Sequence, residues 1–124
     1  MVSGMYLGEI TRNILLHLID ASELFDGHSS KILNTHYGFD TAFVSHVEGA
    51  KSDADVRAAI VRDLGVSEQY IADKDIELVR WACHIVAYRA AYLSATAIAA
   101  IVLHTEETRR VLGQDLVDVG IDGR

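Results

Sequence analysis

One uninterrupted run constrains this chain more than any other: Asp73 to Thr105, DKDIELVRWACHIVAYRAAYLSATAIAAIVLHT. It holds neither proline nor glycine, so nothing inside it stops a helix. Asp73 and Asp75 suit its start, where carboxylates accept orphan N–H groups and meet the positive end of the helix dipole. Ile76, Val79, Cys83, Val86, Ala90, Leu93, Ala97, Ala100 and Ile101 recur at helical spacing. Arg80, His84 and Arg89 lie off that line, and Ala90 to Leu103 carries no charge. A helix apolar nearly all round has to be surrounded, so the run reads as one long buried helix over about 73–105. Its uncharged part falls short of the roughly 20 residues that a membrane span needs, and Arg89 and His104 bracket it. No membrane span is expected.

The chain has 124 residues, enough for one domain with one core. Half of it is hydrophobic and its mean hydropathy is +0.17, which is apolar for a small soluble domain. Two readings account for that: the protein oligomerises, or further chain covers its apolar faces. The formal charge is −7, and no basic stripe is present, so nucleic acid is not an expected partner. Cys83 is the single cysteine, so an internal disulfide is impossible and a reducing, cytoplasmic setting is expected. The opening MVSGMYLGEI lacks the pattern of a signal peptide.

Residues 2 to 20 read as an amphipathic helix with Tyr6, Ile10, Ile14, Leu15, Leu18 and Ile19 on its apolar face. Glu9, Arg12 and Asn13 sit elsewhere. Gly4 and Gly8 leave a bare strip of backbone, which suits close packing against another element or approach to a ligand. Leu24 and Phe25 precede a turn at Asp26-Gly27. Ser29 or Ser30 suits the start of a short helix through Asn34. In GFDTAFVSHVE, a short helix begins at Asp40 or Thr41, and Thr41 and Ser45 share one of its faces. Those hydroxyls suit a cap and a bond back to a carbonyl, or a ligand contact. Ser52-Asp53-Ala54-Asp55 opens another helix with a capping-box pattern; Val56, Ala59, Ile60 and Leu64 form its buried edge, and Gly65 ends it. Glu106 to Gln114 reads as a charged loop. Leu116, Val117, Val119 and Ile121 suit a strand over about 116–122, with a turn at Asp122-Gly123. The orphan strand is expected to pair with chain outside this segment.

No catalytic centre is visible. The six histidines include no i, i+4 helix pair with a nearby acid or thiol, so no metal site is expected. Cys83 sits mid-helix, where burial makes a thiol inert. The GxSxG elbow and the GxxxxGK[ST] phosphate loop are both missing.

Three stretches carry a family likeness: SGMYLGEITRNILLHLID (Ser3 to Asp20), LNTHYGFDTAFVSHVE (Leu33 to Glu48) and VRWACHIVAYRAAYLS (Val79 to Ser94). They resemble the sugar kinase family of eukaryotic hexokinases in order and spacing, most closely its fungal glucokinase/hexokinase branch. The closing VDVGIDG (Val117 to Gly123) is similar to that family's strand in the adenosine-binding half.

The resemblance implies an α/β fold, the large domain of the actin-like ATPase (ribonuclease H-like) class. Residues 1–124 would be one partial domain, itself mainly helical and truncated at both ends. It also implies transfer of the γ-phosphoryl of ATP, with Mg2+, to the 6-hydroxyl of glucose or a related hexose in the cytoplasm. The family's catalytic aspartate, sugar-contacting residues and first phosphate loops have no counterpart here; its sugar-contacting glutamate would fall just before Met1, and its later glycine-rich turn after Arg124. No catalytic residue is therefore assigned, and the chain alone is expected to be inactive without the remainder of the kinase. Thr41 and Ser45 match the hydroxyl pair that the family sets against the nucleotide, and Gly4 and Met5 match a position lining the ATP cleft. Some relatives carry lysine at the Met5 position, a charge that methionine lacks. The alternative is a non-catalytic helical interaction module on the same scaffold.

Overall fold

The structure, a computed structural model, describes residues 2–113 and 116–121. Its longest element, α4, is the predicted helix, Asp73–His104. Asp75 fixes its start: the carboxylate Oδ2 accepts the Ala72 N–H at 2.9 Å. Ala72 has no side-chain oxygen, so no reciprocal bond forms. Asp73 instead meets Arg57 at 3.0 Å.

Three helices gather around the first half of α4. They are α1 (Gly4–Asp20), α2 (Ala42–Gly49) and α3 (Asp53–Ala59). Ile76, Val79, Cys83, Val86 and Ala90 are buried there, as the periodicity predicts. The same apolar line does not stay buried. Leu93, Ala97, Ala100 and Ile101 are exposed, Ile101 at 66%. The expected long buried helix over 73–105 is thus buried only as far as Ala90. The reason is length: at 1.5 Å per residue α4 runs about 48 Å, and the surrounding helices are far shorter. By length and composition alone α4 is long and apolar enough to cross a membrane, although its first half is seated in the protein core.

The core continues through Leu15 and Ile19 of α1, Phe43, Val44 and Val47 of α2, and Val56 and Ala59 of α3. After Asp20 the chain turns through left-handed backbone at Ser22, Phe25, Asp26 and Gly27. A phenylalanine at φ 52 is disfavoured by sterics, yet Leu24 and Phe25 are fully buried, and that burial offsets the cost. The Ser52–Asp55 capping box forms with both bonds at 3.2 Å. The helix it opens widens into a π turn at Ile60–Leu64 and stops at Gly65, whose φ is 67.

Two expectations are corrected at the far end. The charged run after α4 is a short helix, α5 (Glu106–Val111), with acids in its first turn and arginines in its last, matching the dipole. The strand expected over about 116–122 does not form at residues 116–121, which have no regular structure and expose Leu116 and Ile121. A strand is held by ladder bonds to a neighbour, and the described residues include no other strand. The Asp122-Gly123 turn lies outside the described residues.

Packing around the first half of α4 yields a direct test. Ile76→Ala should destabilise the fold by about 2–5 kcal/mol, the usual cost of emptying a core isoleucine site. Urea denaturation followed by circular dichroism measures it; a loss below about 0.5 kcal/mol, typical of surface changes, would place Ile76 outside the core.

Candidate functional site

Gly8 brings α1 and α2 together. A Cβ built on Gly8 would lie 3.0 Å from both the backbone nitrogen and Oγ1 of Thr41. Only a bare backbone admits a neighbour this close. Thr41 uses the space: its Oγ1 accepts the Gly8 N–H at 2.9 Å and donates to the Gly4 carbonyl. These are the donor and acceptor that a helix pairs four residues apart, so the hydroxyl bridges the first turn of α1. The glycine strip is therefore used for close packing, the first of the two roles open to it.

Thr41 stands at the N-cap position of α2, but its side chain does not cap that helix. Asp40 does, with Oδ1 accepting the Ala42 N–H at 2.8 Å and its carbonyl accepting the Phe43 N–H at 3.0 Å. One turn on, Ser45 is exposed, and its hydroxyl makes no hydrogen bond among the described residues. Met5 is 68% exposed at the start of α1. Of the four residues singled out from the sequence, the structure joins Thr41 to Gly4 and leaves Ser45 and Met5 facing outward.

A second grip lies one turn along α1. Glu9 and Arg12, placed off the apolar face by the sequence reading, are only 7% and 6% exposed. They form a bidentate pair, Nε to Oε2 at 2.8 Å and Nη2 to Oε1 at 2.6 Å. The pair also holds the segment before α2. Arg12 Nη1 donates to the Leu33 carbonyl at 2.7 Å, and Glu9 Oε2 accepts the Tyr37 N–H at 2.8 Å. His36 Nδ1 lies 2.8 Å from Glu9 Oε1, and Asn13 donates to the same oxygen at 3.2 Å. The Arg12 hydrogen bond, helped by the Tyr37 N–H, lowers the Glu9 pKa to about 2 against the opposing effect of burial.

Other features are inert or unfocused. Burial pushes the Cys83 thiol up to about 12, with the Glu48 charge adding to it, so the thiol stays protonated and unreactive. A cavity of about 230 Å³ opens beside α2, lined by Phe43 and His46 of that helix and by Phe39 and Asp63. A larger one, about 560 Å³, lies between α3 and the start of α4, where Arg57 is already paired with Asp73. Among the described residues no group of three or more His, Cys, Asp or Glu could hold a metal ion.

Two outcomes follow from this geometry. Gly8→Ala should destabilise by on the order of 1 kcal/mol, although alanine is the better helix former, because the added Cβ pushes against Thr41 backbone. A stabilised variant in urea denaturation would mean that the two helices can part freely. Glu9 sets a pH dependence. Its folded pKa is depressed from 4.5 to about 2, so its contribution is complete above pH 4.5 and is lost as pH falls toward 2. Glu9→Gln should flatten stability against pH across that window; an unchanged slope would contradict the buried pair.

Comparison with known proteins gives the family. The hexokinase family model matches residues 1–124. The chain is 40% identical over 124 residues to hexokinase-3 of Rattus norvegicus, covering 99% of this chain and 13% of that protein. It is 40% identical over 123 residues to hexokinase-1 of Homo sapiens, with the same coverage. A solved hexokinase of Schistosoma mansoni, complexed with glucose, superposes with a TM-score of 0.80 at 33% identity. That match covers 98% of this chain and 26% of the other. The chain thus spans about an eighth of the curated relatives it matches. The chain is a member of the hexokinase family.

Proposed function

We propose that this segment belongs to the large domain of an ATP-dependent hexokinase or glucokinase that phosphorylates glucose, or a similar hexose, on the 6-hydroxyl. The observation that carries the reading is the superposition over 98% of the chain on a hexokinase complexed with glucose. Phosphoryl transfer depends mainly on positioning and charge stabilisation, with an aspartate accepting the hydroxyl proton and magnesium neutralising the phosphates. In this reading the aspartate and the sugar-contacting groups come from the remainder of the kinase chain, and magnesium arrives with ATP. The exposed second half of α4 packs against that remainder. A cytoplasmic setting is part of the proposal; the single cysteine, free and buried, suits a reducing compartment.

On this reading Thr41, Ser45, Gly4 and Met5 line the nucleotide side, with unequal parts. A hydroxyl has one proton to donate and two acceptor positions. Thr41 spends its proton on the Gly4 carbonyl and one acceptor position on Gly8, so it orients the wall and can only accept from a ligand. The Ser45 hydroxyl has no partner among the described residues and is the better donor to a phosphate or ribose oxygen. Met5 offers apolar surface without charge.

The full-length chain carrying this segment should phosphorylate glucose with Mg·ATP, whereas residues 1–124 alone should show no turnover. Turnover by the short chain would overthrow the division of labour. In the full-length chain Ser45→Ala should raise the ATP dissociation constant roughly fivefold, about 1 kcal/mol, with glucose affinity unchanged. Ile101→Ala, neutral in the short chain, should cost about 2–5 kcal/mol in the full-length one, where the second half of α4 is covered. Equal costs in the two chains would favour the alternative, a non-catalytic helical module.

A further inference from the structure

The Glu9 carboxylate makes no hydrogen bond to the residues assigned to the nucleotide, yet three donors converge on it, Arg12, Asn13 and the Tyr37 N–H, and His36 Nδ1 lies 2.8 Å away. Tyr37 stands at φ 54, in the left-handed region that tyrosine seldom adopts, with its N–H turned to Glu9. Gly38 follows, and a Cβ there would lie 1.9 Å from the Ile32 carbonyl oxygen, so the backbone at this point is tightly wound. Asp40 and Thr41 come next. A residue of chain spans at most about 3.6 Å, so Tyr37 and Thr41 cannot move far apart independently.

We infer that Glu9 is a positioning residue for the nucleotide wall: its ionised carboxylate holds the segment Leu33–Tyr37 in one register on α1, and that register sets where Thr41 and Ser45 stand. The inference rests on the nucleotide reading of Ser45 and Thr41 given above. The physical reason for a buried ion pair favours this over a purely stabilising role. Compared with apolar side chains of the same size, a buried pair adds little net stability, because desolvation cancels most of its attraction, and its best-attested use is fixing one arrangement. Here the arrangement fixed is that of a loop with little regular structure of its own. Two consecutive turns of α1 then act as paired clamps. Gly4 and Gly8 seat Thr41 directly, while Glu9 and Arg12 seat the chain leading to it.

The test uses the full-length kinase chain with adenylyl imidodiphosphate, a non-hydrolysable ATP analogue, and glucose as separate ligands. Glu9→Gln keeps the side-chain shape and removes the charge. It should raise the dissociation constant of the analogue about tenfold and leave that of glucose within twofold of wild type. Amide hydrogen exchange at Tyr37 should accelerate in parallel. If Glu9→Gln does not fold, His36→Ala decides, because that side chain is 75% exposed and its loss leaves the Arg12 pair intact. A two- to threefold weaker analogue affinity is then expected. A folded Glu9→Gln with wild-type analogue affinity and only a lower melting temperature would overturn the inference, as would an unaffected His36→Ala. A wild-type chain that binds glucose but not the analogue would overturn the nucleotide reading itself, and the inference with it. Analogue affinity that responds to Ser45→Ala but not to Glu9→Gln would leave the reading standing and remove Glu9 alone.

Discussion

A missing side chain on Gly8 lets two helices meet at backbone distance, and the rest of this face depends on that approach. With Thr41 against Gly8, its hydroxyl can reach both the donor and the acceptor of the first turn of α1. That contact orients α2, whose Phe43, Val44 and Val47 then meet the core around α4. The same orientation leaves Ser45 outward, its hydroxyl without a partner among the described residues. One van der Waals constraint thus links helix packing to the surface that we propose faces a nucleotide. The Glu9–Arg12 pair works on the same geometry from the chain side, by fixing the backbone that delivers Thr41 to its notch.

The second constraint is the mismatch between α4 and its surroundings. Its first half is held by Ile76, Val79, Cys83 and Val86 in a core contributed by the first three helices. Its second half continues the same apolar line into open space, through Leu93 and Ile101. Burial of large aliphatic side chains is worth about 1.5–3 kcal/mol each, so such a line has a strong tendency to be covered. In a segment that spans about an eighth of its full-length relatives, the remainder of the polypeptide is the cover we propose.

Much of the fold is legible where one local rule decides. The Ser52–Asp55 capping box, the buried edge of Val56, Ala59, Ile60 and Leu64, the stop at Gly65 and the first half of α4 all follow from spacing alone. The helix at Glu106–Val111 was missed: its density of charge reads as loop and outweighs the order of acids first and arginines last that matches the dipole. Glu9 and Arg12 show where reading by periodicity stops. A charged i, i+3 pair reads as surface, and only Leu33 and Tyr37, distant in sequence, reveal why it is buried. The strand at 116–121 fails for the same kind of reason, since ladder partners are a tertiary fact. At the site, close helix packing was one of two roles open to the Gly4–Gly8 strip, whereas the part played by Thr41 hydroxyl toward α1 was not visible in its spacing to Ser45.

The most direct measurement is a crystal structure of the full-length kinase chain with glucose and adenylyl imidodiphosphate bound together. Our account predicts the nucleotide within hydrogen-bond reach of the Ser45 hydroxyl, with the Thr41 hydroxyl still held by Gly4 and Gly8. A bound nucleotide that approaches neither Ser45 nor Thr41 would contradict it.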